Sequence, residues 1–135
     1  MNKHLAAYLA ATLVMVALDA LWLGLVAKTT YQQAIGHLMA EQPKVLPALA
    51  FYVLYGVGLL VFALAPQADD PAWGRTILRG ALFGFFAYAT YDLSNLATLR
   101  NWPLHLTLID MVWGTFASAV SAGAGKAAMN RATRA

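Results

Sequence analysis

The sequence contains no cysteine, which excludes disulfide staples, thiolate metal sites and quinone-linked thiol redox chemistry. Charge is scarce as well: only 11% of the 135 residues are Asp, Glu, Lys or Arg, against about a quarter in an average soluble domain. That shortage excludes an ordinary soluble domain. The three histidines, His4, His37 and His105, do not make a recognisable metal-ligand set, and the His-rich boxes of membrane di-iron enzymes are missing. No G-x-S-x-G elbow, P-loop or Gly-rich dinucleotide fingerprint occurs, so the standard soluble chemistries find no support. The net charge is +3, but its Lys and Arg residues sit at segment ends and not along one face. That pattern marks membrane anchoring and argues against nucleic acid as a partner.

Apolar residues make up 61% of the chain, gathered into four runs at about 5–27, 45–65, 77–99 and 103–124. Roughly 20 residues at 1.5 Å rise cross the ~30 Å hydrocarbon core, and in lipid only a helix satisfies its own backbone over such a run. The first run is too long for a secretory h-region and carries an acid in its second half, so it reads as a span and not as a signal peptide. The expected fold is all-α: a four-transmembrane-helix bundle, one integral membrane domain over 1–135, with the lipid bilayer as its partner.

The connections refine this picture. Between the first two spans, Thr30 and Gln33 have capping-box spacing, and Tyr31, Ile35, Leu38 and Met39 fall on one face. A short interfacial helix ending near Pro43 is expected there. Residues 66–73 hold Asp69, Asp70 and Pro71 and form a water-side turn. Residues 100–103 allow only a tight hairpin, with Asn101 as a cap and Trp102 as an interface anchor, so the last two spans are antiparallel neighbours. Lys3, Arg75, Arg79, Lys126, Arg131 and Arg134 gather on the amino-terminal side, against Lys28, Lys44 and Arg100 opposite, which predicts both termini in the cytoplasm.

Six acidic residues exist, and three of them, Asp19, Asp92 and Asp110, lie inside spans, where a charge costs several kcal/mol unless neutralised, paired or hydrated. Asp19 lies eight residues before Ala27, Asp92 seven before Leu99 and Asp110 seven after Pro103. Helical rise therefore puts all three roughly 10 to 12 Å below the same boundary, with Tyr52 and Tyr55 near that level. No Lys or Arg lies within a turn of them. Two carboxylates close together in a low-dielectric medium do not both ionise, so a proton or a cation must complete the layer. Trp22, Trp113, Asn95 and the tyrosines are the candidate donors.

Spacing sets the partners. Tyr8, Thr12, Met15, Asp19 and Trp22 form one stripe; Gly80, Gly84, Tyr88, Tyr91, Asp92 and Asn95 a second; Thr107, Asp110, Gly114, Ser118 and Ser121 a third, with Trp113 beside it. All three should face the bundle interior, with the Gly and Ser positions allowing close approach. Gly80 and Gly84 match GxxxG, which serves local packing or a dimer contact. His105, five residues from Asp110, does not share that acid's face. Asp19-Ala-Leu-Trp22 and Asp110-Met-Val-Trp113 repeat one D-x-x-W spacing on helices of opposite direction, the pattern an inverted repeat leaves.

The segments Asp19-Ala-Leu-Trp22-Leu-Gly24, Phe51-Tyr52-Val-Leu-Tyr55-Gly56, Tyr88-Ala-Thr-Tyr91-Asp92-Leu-Ser-Asn95 and Trp102-Pro103 with Asp110-Met-Val-Trp113-Gly114 resemble the bacterial predicted-membrane-protein family known as domain of unknown function 2177. The resemblance covers nearly the whole chain. It implies a small four-helix protein of the bacterial inner membrane and supplies no activity and no cofactor. Three functional classes follow from the acid layer. One is a proton- or cation-coupled carrier of a small solute, in which a homodimer would enclose the path. The second is an enzyme or lipid-binding module acting on a lipid or isoprenoid head group. The third is a helical subunit of a larger membrane complex, with the polar layer specifying packing.

Overall fold

Apolar runs this long leave no water to satisfy backbone polar groups, so they must be helical. The computed structural model describes residues 1–134, and among them the regular structure is all-α: five α-helices and no sheet. Helix α1, Lys3–Leu21, starts on Asn2, whose side chain accepts from the backbone N–H of His4 at 2.8 Å and Leu5 at 3.3 Å. It widens into a π-helical turn over Trp22–Val26. Helix α2 follows at once as Lys28–Ile35 and ends in a 3-10 turn, Gly36–Leu38. Helix α3, Val45–Leu59, also runs into a π turn, Leu60–Leu64. Helices α4, Gly74–Thr98, and α5, Leu104–Arg134, complete the bundle.

Two local expectations change. The Thr30–Gln33 capping box does not form: the π turn of α1 feeds straight into α2, which starts at Lys28 after Ala27 with no side-chain cap. The last helix does not stop near residue 124 but continues to Arg134. Lys126 explains why. It is fully buried, and its Nζ donates to the carbonyls of Gln67, at 2.6 Å, and Asp70. With Asn130 Nδ2 on the Pro71 carbonyl at 3.0 Å and the Lys3–Asp69 ion pair at 3.3 Å, the helix extension pins the α3–α4 connection at the end of the bundle that carries the chain termini.

Among the described residues, three helical stretches are long and apolar enough to cross a membrane: Lys3–Val26, Val45–Gln67 and Leu104–Arg134. Helix α4 is as long, at 25 residues, but Arg75, Arg79, Asp92 and its hydroxyl side chains make it less apolar. The bundle is inverted relative to a water-soluble one. Large apolar side chains such as Leu13, Leu54, Phe86 and Val112 point outward, while Asp, Thr, Ser and Lys are buried. A surface of that kind suits lipid and not water.

Helix α5 is the hub, packing most extensively on α4 and then on α1. Its buried side is built from small residues, among them Gly114, Ala117, Ser118, Ser121 and Ala122. They let backbones approach where lipid offers no hydrophobic drive for helix association. Gly80 of α4 abuts Ser118 and Ala122, and Gly84 abuts the Gly114 carbonyl and Ser118. The GxxxG stripe is therefore filled inside the chain. Helix α3 is held mainly by α1, with Gly56 against Thr12 and Tyr8, and touches α4 only lightly except through its π turn. This looseness leaves space between α3 and α4 at the end opposite the termini.

Replacing Gly84 with alanine drives a Cβ into the Gly114 backbone, which cannot yield as a flexible side chain would. Gly84→Ala is expected to destabilise the protein by about 1–3 kcal/mol, the usual cost of overpacking. Gly24→Ala meets nothing within 4 Å and should stay within about 0.5 kcal/mol of the parent. Thermal unfolding in mild detergent, followed by circular dichroism, measures both.

Candidate functional site

A carboxyl group in an apolar bundle needs donors, a counter-charge or a proton. The three buried aspartates meet that need in different ways. Asp19, 6% exposed, has one donor on each oxygen: Trp113 Nε1 of α5 reaches Oδ1 at 2.9 Å, and the Tyr52 hydroxyl of α3 reaches Oδ2 at 2.7 Å. One carboxylate thus joins α1, α3 and α5.

Asp110, 8% exposed, accepts at Oδ1 from the Tyr31 hydroxyl at 2.6 Å, and Trp22 Nε1 donates to that same hydroxyl at 3.1 Å. The relay runs from the π turn of α1 through α2 to α5. Burial, then the bond to Asp110, pushes the Tyr31 phenol well above the usual tyrosine range, so it remains a donor. Asp92 is fully buried, and neither of its carboxyl oxygens has a hydrogen-bond partner. Its neighbour is the carboxyl of Asp110. Two ionised carboxylates have no hydrogen to offer each other; a proton on either makes the contact a hydrogen bond.

The two D-x-x-W segments interlock. Trp113, which follows Asp110, donates to Asp19; Trp22, which follows Asp19, reaches Asp110 through Tyr31. Between them the two indoles stack with centroids 4.4 Å apart and planes 4° from parallel.

These groups surround a cavity of about 520 Å³. Asp19, Asp92, Asp110, Trp22, Trp113, Tyr52, Tyr55, Tyr88 and Tyr91 all line it. Tyr55 shares a 2.5 Å hydrogen bond with Ser118, where the cavity gives way to the small-residue core. Asn95 does not line it. Asn95 shares the Asp92 side of α4, but it sits nearly a turn further toward the hairpin, half-buried and outside the lining. Among the described residues no three His, Cys, Asp or Glu side chains stand close enough to hold a metal ion. Asp19 stands apart with its own donors, and His37 and His105 are exposed.

Two lining residues have roles that spacing did not reveal. Tyr31 belongs to the amphipathic connection, whose apolar face reads as a lipid contact. Instead α2 folds over the cavity, so that Tyr31, Ile35 and Met39 line it. The apolar stripe was the available signal; the π turn that aims it was not. Trp102, expected as an interface anchor, is only 8% exposed and turns inward, with Nε1 bonded to Thr107 Oγ1 at 3.0 Å. Asn101 takes a left-handed φ of 62°, and this, with Pro103 after it, folds Trp102 back over the start of α5. Ala27, Tyr31, Trp102 and Leu106 then form a second apolar cluster that holds α2 in place.

The model of the predicted membrane protein family DUF2177 matches residues 4–127, which include every element of this cavity. The chain belongs to that family. No curated protein and no solved structure matches it. In this DUF2177 member the cavity's own chemistry points to what it can hold.

Tyr31→Phe removes the hydroxyl that donates to Asp110 and accepts from Trp22. A double-mutant cycle of Tyr31→Phe with Asp110→Asn, read from unfolding free energies in detergent, should give a coupling of about 1–3 kcal/mol, the range from neutral to charge-assisted hydrogen bonds. Additive effects would remove α2 from the site.

Proposed function

We propose that this DUF2177 protein is a single-domain, four-span protein of the bacterial inner membrane, termini in the cytoplasm, that carries a small cationic solute in exchange for protons. In this reading α4 crosses with the other three helices. Its length of about 37 Å suffices. Its polar side, with Thr76, Gly80, Gly84 and Asp92, is buried, while Leu78, Leu82, Phe86 and Leu93 face outward into lipid. The excess of basic residues at the end closed by Lys126 makes that end cytoplasmic, and the cavity then opens toward the outer leaflet.

The observation that carries the reading is the Asp92–Asp110 pair: two buried carboxyls side by side, with a single donor between them, on the wall of a cavity large enough for a solute. A structural acid should look like Asp19, with each oxygen matched to a donor. The pair is matched only when it holds a proton or a cation, and in this reading the two alternate there. Packing glue does not require the cavity, and proton storage alone does not require its size. A small bundle closed toward the cytoplasm by close-packed small residues reaches the other face through a second copy, which would bind outside the Gly80–Gly84 stripe already covered by α5.

The test uses purified protein in liposomes with a trapped pH dye. Sodium, potassium and small organic cations are added outside one at a time, with protein-free vesicles as the control. The parent should move protons saturably in response to at least one cation, and Asp92→Asn and Asp110→Asn should abolish that movement. A silent parent, or rates unchanged in both variants, overturns the carrier.

A further inference from the structure

The cavity holds more information about its occupant than the sign of its charge. We propose that the Asp92–Asp110 corner is a receptor for a protonated primary or secondary amine on an apolar body. This rests on the cation-carrier reading and names the class of its solute.

Three observations narrow the class. The first is the shortage of donors. Among the described residues no N–H reaches either oxygen of the fully buried Asp92, and Asp110 accepts from the Tyr31 hydroxyl alone, so apart from a shared proton the pair is short of donors. A quaternary ammonium or an alkali ion neutralises charge but brings no N–H. A primary or secondary ammonium brings both, and places its hydrogens where the carboxyls lack them. Asp19 is excluded as the receptor because Trp113 and Tyr52 already occupy its two oxygens.

The second is the scarcity of hard ligands. Divalent cations such as calcium and magnesium take about six or more oxygens, and no third acidic or imidazole group joins the pair within reach of one ion. A cavity of about 520 Å³ is also far larger than a bare ion, and lies within the range of about 300–1,000 Å³ typical of small-molecule sites.

The third is the wall. The stacked Trp22–Trp113 pair, Tyr88 and Tyr91 present aromatic surface around the acids, which attracts an ammonium through its faces and the apolar body through burial. At the rim, Leu23, Met39 and Phe51 are both cavity-lining and exposed. An amphiphilic amine partitioned into the outer leaflet meets apolar side chains first and carboxyls last.

Binding to the full-length protein in detergent tests the proposal, by isothermal titration calorimetry and tryptophan fluorescence. The probes are 2-phenylethylammonium, neutral 2-phenylethanol and phenyltrimethylammonium. The primary ammonium should bind saturably and about tenfold or more tighter than either of the others, the scale of one charge-assisted hydrogen bond. Asp92→Asn should erase that preference. If Asp92→Asn does not fold, the ranking of the three probes on the parent decides alone. Equal binding of amine and alcohol, tighter binding of the quaternary probe, or no saturable binding overturns the receptor. Amine-selective binding without proton movement in liposomes would sink the carrier and leave the receptor standing. Cation-driven proton movement without amine selectivity would do the reverse.

Discussion

The structure depends on how a carboxyl group is satisfied where water does not reach. A buried aspartate can gain N–H or O–H donors only from another segment, because its own helix has committed its N–H groups to the backbone ladder. Asp19 recruits α3 and α5, and Asp110 recruits α2. In a medium that gives apolar side chains no preference for one another over lipid, these bonds and the close Gly–Ser contacts specify which helix lies beside which. The outward faces are interchangeable hydrocarbon; the inward chemistry is not.

That logic divides the bundle into two zones with different tasks. Toward the termini, small residues produce a dense, closed packing, with the Lys126 ammonium matched to carbonyls. Toward the opposite end, aromatic rings replace small residues, the helices separate and α2 folds over the gap. The π turn of α1 lies in the open zone, and that of α3 in the closed one, where Leu64 packs with Ala7 and Met129. Each widens its helix by a residue per turn, and the first delivers Trp22 to the indole stack and sends the chain directly into α2.

The helical class was legible because long apolar runs leave no alternative, and the three aspartates picked out by their place in those runs all line one cavity. Periodicity also put Thr107, Asp110, Gly114, Ser118 and Ser121 on one buried side of α5, where they lie. What spacing could not supply was anything depending on a break in periodicity. The π turn after Leu21 removed the expected cap at Thr30 and aimed Tyr31 inward. The left-handed Asn101 turned Trp102 from a presumed anchor into a cavity wall. The extension of α5 past residue 124 depended on the carbonyls that Lys126 meets, which belong to a connection more than fifty residues earlier. Nor does depth distinguish an acid with two donors from one with none; that difference appears only when side chains from four segments are set against each other.

The crossed attachment of the two D-x-x-W segments bears on how such a chain can change over generations. Because the tryptophan of each segment serves the aspartate of the other, directly or through Tyr31, no single substitution confines its damage to one helix. Loss of Trp113 strands an acid on α1, and loss of Trp22 loosens the phenol that steadies an acid on α5. The two segments thus form one structural unit despite lying some ninety residues apart, and a change in either is felt by both.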